Sequence, residues 1–407
     1  MTQCKFPVYL LVAASFLSSC GNDDDAPVPF PPTPQEEVGR TVLVYQVANR
    51  NGLSGNSISD INEMRQAAAA GDIGSDGRLI VYNHRNNTSP MLLEIKAGAV
   101  DTLKVYDTAV SSASSARMAE VLDDMASYSP AREYGLILWG HGTGWLQDGR
   151  EDISPMQRSY GGDNGQWMNV STLSRVLSEG PALSFLYFDC CFMASVEVAY
   201  ELGSIVPRVA SSVMEIAAEG MPYHMSVKHF FSKDDGYLSD AAAATFDYYS
   251  EWQRAGSRPE CSPSTFSRRY CAMTVYRTDG IAALAEATRR IYSRSATPYP
   301  AGMKPMAYGR GTHAANYFDF GLYVHDLCID SEGNERYSGA AADLAAWNDC
   351  LDAIIEYKAD IGYVFGSTLA VSNHSGLSTY IFSGTEDLAT KNYNTLRWYA
   401  DIASALL

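Results

Sequence analysis

The sequence lacks the patterns by which a chain usually captures a metal. It has no CxxC and no HExxH, and its seven histidines are scattered over 407 residues. That excludes the familiar zinc-site spacings, and neither a metal nor a cofactor is expected. Basic residues are also short, with 30 Lys and Arg against 47 Asp and Glu and a formal charge of -17. A phosphate-binding surface needs clustered Lys and Arg, so nucleic acid is excluded as a partner. Such an acidic chain suits a solvated extracytoplasmic protein or one that attracts basic ligands. Internal repeats are missing too. What is abundant is apolar side chain, at 46%, enough for a substantial core in one large domain or two ordinary ones.

The amino terminus stands apart. Lys5 precedes "FPVYLLVAASFLSS", 14 residues that are too few for a comfortable membrane span and suit a signal sequence. The run ends in Leu17-Ser18-Ser19-Cys20, which resembles the bacterial lipobox, where the cysteine is diacylated and becomes the first mature residue. An ordinary signal peptide with a chance cysteine is the alternative. Residues 21–40, "GNDDDAPVPFPPTPQEEVGR", are too acidic and Pro-rich to pack a core and favour an extended tether. Acidic residues after the lipidated cysteine resemble the surface-export signal of Bacteroidetes lipoproteins. The expected organisation is therefore a signal peptide at 1–19, a lipidated Cys20 and tether at 20–40, and a globular region at 41–407. The expected location is the outer membrane or cell surface of a bacterium, with the membrane reached through Cys20.

Of eight cysteines, Cys4 is removed with the signal and Cys20 is lipidated. An exported chain permits disulfides. Cys261–Cys271 and Cys328–Cys350 are the simplest pairings by sequence distance, although spacing does not settle connectivity. Cys190 and Cys191 are adjacent.

Along the globular region, β-branched apolar runs alternate with helical patterns. Strands are expected at 41–47, 78–84, 134–140, 182–188 and 206–213, with a short hairpin in "MLLEIKAGAVDTLKVY". "SISDINEMRQAAAAG" reads as a helix with a Ser cap and a Gly stop, and "SASSARMAEVLDDMASY" as a helix with Met118, Val121, Leu122 and Met125 on one face. The alternation implies an α/β fold with a mostly parallel sheet covered on both faces. A second α/β region is expected to follow, giving a core at about 41–235 and a C-terminal part at about 236–407.

Two apolar runs end in reactive side chains. "LILWGHGTGW" places His141 just past one strand, and "FLYFDCCFMASVEVAYEL" places Asp189, Cys190 and Cys191 past another. In an open parallel sheet, reactive groups gather beyond the carboxyl ends of the strands. Neighbouring strands are about 4.8 Å apart, so both could line one crevice. A thiol is mostly protonated at neutral pH, and an imidazole can take its proton and later hand one to a leaving group. Gly140, Gly142 and Gly144 let the backbone turn beside His141, and the Gly142 amide is a candidate oxyanion donor. Buried structural cysteines and a satisfied histidine are the bland alternative.

These two stretches closely resemble the clostripain family of cysteine peptidases, relatives of the caspases and gingipains. Members carry a His-Gly-x-Gly-Trp segment and an Asp-x-Cys-x-Met segment followed by a Glu-x-Ala-Tyr-like helix. "VLVYQVANRNGLSGNSISDINEM", "ASSVMEIAAEGMPYH" and "GLSTYIF" extend the resemblance over roughly 41–407. It implies a caspase-like fold with additional C-terminal α/β elements. It further implies a cysteine endopeptidase that cleaves protein or peptide substrates after Arg or Lys. Position by position, His141 becomes the catalytic histidine and Cys191 the nucleophile, with Cys190 at the variable position. Strand alternation agrees, since Asp189 and Cys191 are two residues apart. Asp189 and Glu219 are placed in the pocket for the basic side chain, where a carboxylate can accept an arginine. A helix cap is the alternative role for Asp189. The chain departs from the family's Ser-Glu-Glu by reading Ser211-Ser212-Val213-Met214-Glu215.

The stretch after His141, "GTGWLQDGREDISPMQRSYGGDNGQWM", reads as a long polar loop. Family members commonly activate themselves by cutting in this region, which makes Arg150 and Arg158 the candidate sites. The competing reading is a non-catalytic surface lipoprotein that binds peptide or glycan on the same fold.

Overall fold

Among the described residues, nine strands form one sheet. In a computed structural model the described residues are 36–146, 159–203, 205–255, 271–303, 305–309, 316–360, 363–364, 367–368, 374–382 and 388–406. The strands are β1 (Val38–Ala48), β2 (Gly77–Arg85), β3 (Met91–Lys96), β4 (Ala99–Val105), β5 (Ala131–Trp139), β6 (Leu183–Asp189), β7 (Arg208–Ser211), β8 (Ala272–Arg277) and β9 (Ile355–Asp360). Their order across the sheet is β9-β8-β7-β6-β5-β1-β2-β3-β4. The central five run parallel, β2 with β1, β1 with β5, β5 with β6 and β6 with β7. Both edges are antiparallel.

From β1 the chain builds the sheet first toward β2 and then, from β5, in the opposite direction. A crevice therefore opens at the carboxyl ends of β1 and β5, the place where open α/β sheets seat ligands.

Alternation along the strands sorts the core onto two faces. Leu43, Tyr45, Leu136, Leu138, Leu186 and Phe188 face one apolar cluster. Val42, Val44, Ile137, Trp139, Phe185 and Tyr187 face the other. Helix α1 (Ser54–Ala70), α5 (Tyr223–Phe230) and α6 (Tyr237–Ala255) supply the second cluster. The first is filled in part by α2 (Ser115–Tyr128), α3 (Val170–Glu179), α4 (Val196–Leu202), α7 (Ile281–Arg294), α8 (Phe320–Cys328) and α9 (Ala340–Ile354). The expected stripe of α2, Met118, Val121, Leu122 and Met125, is buried, and Ser114 caps it by accepting from the Arg117 amide at 3.2 Å.

Several expectations change. Helix α1 has no side-chain cap; Ser54 instead donates to the Ala48 carbonyl at 2.8 Å, while Gly71 does stop the helix in the left-handed region. Of the later strands, β8 and β9 extend the first sheet. "GLSTYIF" contributes only a two-residue pairing, Ser378–Thr379 with Phe318–Asp319. The rest of its hydrogen bonding goes elsewhere: the Ser378 amide donates to Ala194 O at 2.9 Å, and the Tyr380 amide to the buried Glu197 at 2.9 Å. This segment ties the end of the chain to the turn that carries the cysteines. Cys328 and Cys350 are separate thiols rather than a disulfide, and the Cys328 sulfur lies 3.7 Å from the Tyr337 hydroxyl. Cys271 is a buried thiol, and its expected partner Cys261 lies outside the described residues.

Candidate active site

Strand register decides what meets at the crevice. Trp139 at the end of β5 pairs with Asp189 at the end of β6, and the Gly140 amide donates to Asp189 O at 3.4 Å. His141 and Cys191 each follow two residues later, on adjacent strand ends. Between them the backbones touch. A Cβ on Gly142 would lie 2.6 Å from Cys191 O and 2.8 Å from the Cys190 Cβ, so only glycine fits.

His141 is half-buried, and its Nε2 lies 2.9 Å from the Asn51 carbonyl oxygen, just past β1. A carbonyl only accepts, so Nε2 carries the hydrogen, and Nδ1 is the nitrogen left for proton exchange. Asn51 is itself held, with Nδ2 donating to Val47 O at 2.8 Å and Oδ1 accepting from the Leu53 amide at 3.1 Å. The Trp167 ring centre is 6.0 Å from the imidazole. Residues 159–168, expected as loop, instead contain a small hairpin, in which His141 pairs with Gly161 and Gly142 with Tyr160.

Asp163 at the end of that hairpin is a buried anchor. It accepts from Asn49 Nδ2 at 2.8 Å, Ser111 Oγ at 2.8 Å and the Ser112 amide at 2.6 Å, with His84 Nδ1 3.7 Å away. Burial alone would raise its carboxyl, but the donors from His84, Asn49, Ser111 and Ser112 outweigh it and hold the group at about 2. Because the folded value lies below the unfolded one, the anchor stabilises the fold above about pH 4, and its contribution is lost as pH falls through about 2. The size is about 2 kcal/mol. Urea unfolding of the wild type and Asp163→Asn at pH 7 and pH 3 is expected to show this acid-sensitive component in the wild type alone.

The two cysteines differ. Cys190 is buried, and its sulfur donates to Leu138 O at 3.0 Å. Burial first, then the charges of Asp189 and Cys191, push its thiol well above the ordinary range. Cys191 is partly exposed, and the Ile216 amide points at its sulfur from 3.3 Å, a donor that suits a thiolate. Phe192, next in the chain, holds a left-handed backbone at φ 62, which is strained for a bulky side chain. Its amide bonds Met214 O at 3.0 Å, and its ring stacks on Tyr317 at 4.3 Å. The Tyr317 hydroxyl in turn donates to Thr143 O at 2.5 Å, tying the turn after the cysteines to the segment after His141.

Asp189 does not cap a helix. Ser195 caps α4, while Asp189 accepts from the Met221 amide at 3.1 and 3.0 Å and from the Tyr223 hydroxyl at 3.2 Å. Burial raises its carboxyl, those donors oppose the rise, and the charge of Glu63 adds to it, for a result of about 6. Glu219 is half-buried at the turn before Gly220. Gly220 has φ 67, and a Cβ there would lie 2.9 Å from Asp189 Oδ2. Cys20, Arg150 and Arg158 lie outside the described residues. The two flanks of residues 147–158 are joined, since Ser159 Oγ donates to Leu146 O at 2.7 Å.

Asn51, Ile216, Phe192 and Tyr317 escaped the sequence reading. Asn51 and Ile216 act through backbone atoms and carry no side-chain signature. Asp60 also escaped it, although a carboxylate on the buried stripe Ser57, Asp60, Met64, Ala67 was a legible oddity.

The sequence model of the clostripain family matches residues 44–358. This chain belongs to the clostripain family. It is thus a cysteine protease by family, with the caspase-like mixed α/β fold. One similar structure is a secreted C11 cysteine protease from Bacteroides thetaiotaomicron in complex with an irreversible peptide inhibitor. It is 25% identical with a TM-score of 0.72, and the match covers 89% of this chain and 99% of that one. Another is an inactive zymogen C11 protease from Parabacteroides distasonis, 25% identical with a TM-score of 0.69, covering 90% of this chain and 99% of that one. No curated protein sequence matches the chain.

Proposed function

We propose that this clostripain-family chain is an endopeptidase that cleaves after Arg or Lys with a Cys191–His141 dyad. The observation that carries the specificity is Asp189, a buried carboxylate at the strand end from which the cysteine turn departs. The Cys191 thiolate attacks the carbonyl carbon of the scissile bond, and the Gly142 amide donates to the developing oxyanion, a role supported by the contact of Gly142 with the cysteine backbone. The C–N bond then breaks as the His141 imidazolium gives its proton to the leaving amine, forming a thioester. Water, deprotonated by His141, hydrolyses the thioester and releases the acid. Asp189 and Glu219 hold the basic side chain during both steps.

The same reading includes maturation, with Arg150 favoured over Arg158. The residues that flank the stretch holding them, Leu146 and Ser159, are joined, and a similar structure is that of an inactive zymogen. After a cut at either arginine the two flanks stay anchored. Wild type and Cys191→Ala, incubated side by side and sequenced at new amino termini, are expected to yield Glu151 or Ser159 in the wild type only. A fully active uncut chain contradicts maturation and leaves the peptidase reading standing.

The chain is further proposed to be an extracytoplasmic lipoprotein, with a peptidase domain tethered behind Cys20. The lipobox-like Leu17–Cys20 supports this, as does the description of one similar protease as secreted. Labelled fatty acid is the probe, incorporated by the wild type and not by Cys20→Ala.

A further inference from the structure

Asp60 sits in the middle of α1 with its side chain turned into the protein, 1% exposed. A buried carboxylate is costly unless it is paired. Its Oδ2 is buried without a hydrogen-bond partner, and the Trp139 indole lies beside the carboxyl. Among the described residues no Lys or Arg pairs with it.

Its surroundings are acidic. Trp139 is the residue that pairs with Asp189 at the strand ends. A Cβ on Gly220 would lie 2.9 Å from Asp189 Oδ2 and 3.2 Å from the Trp139 indole nitrogen, so carboxylate and indole both pack against this glycine. Asp60 lies beside that indole. The charges of Asp189, Glu63 and Glu219 all act on Asp60; the Tyr223 hydroxyl donates to Asp189 at 3.2 Å, and the Tyr223 amide donates at 2.8 Å to Glu63, on the same helix as Asp60. His224 lies 3.2 Å from Glu63. Among the described residues no three such side chains converge as metal ligands. A long side chain ending in a cation suits this arrangement.

We propose that Asp60 is a specificity residue, forming the floor of the pocket below Asp189 and receiving the far end of the substrate's Arg or Lys. This rests on the reading that Asp189 lines the pocket for the basic residue. Burial and then the charge of Asp189 raise the Asp60 carboxyl well above the ordinary carboxylate range, and Asp189 is itself raised to about 6. A cation entering beside them favours the ionised form of each carboxyl, and any proton either still holds leaves to water. Selectivity for basic over neutral side chains therefore strengthens as pH rises through the two carboxyl titrations and weakens below them.

The test uses the mature full chain with matched reporter peptides ending in Arg, Lys or citrulline, the uncharged near-isostere of Arg. Asp60→Asn is expected to lower kcat/KM for Arg and Lys by about tenfold or more, chiefly through KM, and to leave citrulline within about twofold. Iodoacetamide labelling of Cys191 is expected to keep its wild-type rate. The Arg-to-citrulline ratio, in which titration of the dyad cancels, is expected to fall in acid with a two-proton slope in the wild type and a one-proton slope in Asp60→Asn. Equal losses on Arg and citrulline mean that Asp60 is only structural, and unchanged Arg cleavage means that it is outside the pocket; either overturns the proposal. Should Asp60→Asn fail to fold, a one-proton slope in the wild type overturns it alone. An Asp189→Asn variant that keeps its preference for Arg overturns the underlying pocket as well, which separates the two failures.

Discussion

Replacing Cys191 by alanine is expected to lower peptide cleavage by about a thousandfold or more, and His141→Ala to do nearly the same. Cys190→Ala is the control and is expected to cleave within a few-fold of wild type. The asymmetry follows from the turn after β6. The Cys190 sulfur is spent on the Leu138 carbonyl inside the core, where burial holds it protonated. Cys191 is partly exposed, receives an amide hydrogen at its sulfur, and sits against the glycine that follows His141. The measurement is reporter hydrolysis together with mapping of an alkylating label, expected on Cys191 alone. An active Cys191→Ala beside a dead Cys190→Ala would place the nucleophile one residue earlier.

Asp189→Asn is expected to cost Arg and Lys reporters about a hundredfold in kcat/KM, the equivalent of about 3 kcal/mol, while fold stability changes far less. The large effect has a stated source. The substrate cation would enter a buried site and lose the negative charge it should meet there, whereas Asn keeps the shape and an acceptor oxygen for the Met221 amide. Thermal unfolding of the variant checks stability, and reporters ending in Arg, Lys and Leu check selectivity. A wild type that turns over Arg and Leu equally would remove Asp189 from the specificity role.

The sequence by itself determined the α/β class, the position of the main strands and the two segments that end in His141 and Cys191. These are local properties. Continuous apolar runs make strands that are buried on both faces, and a reactive side chain at the end of such a run must emerge at an edge of the sheet. The preference for Cys191 over Cys190 comes from the Asp-x-Cys-x-Met pattern and the two-residue strand period. What only the tertiary structure decided is which atoms from distant elements close around those segments. The Asn51 carbonyl selects the hydrogen-bearing nitrogen of His141, the Ile216 amide reaches the Cys191 sulfur, and the Met221 amide holds Asp189. Backbone groups are chemically alike at every position, so no residue type announces them. The hairpin at 159–168 was read as loop because its glycines and polar residues carry no apolar period; its pairing with His141 and the buried Asp163 stabilise it instead. Strands β8 and β9 joined the first sheet because their partners, β7 and β8, are set by long-range pairing that composition does not encode. Asp60 shows the same division: its place on a buried helical stripe is written in the sequence, but its approach to Trp139 and Asp189 exists only once α1 packs against the sheet.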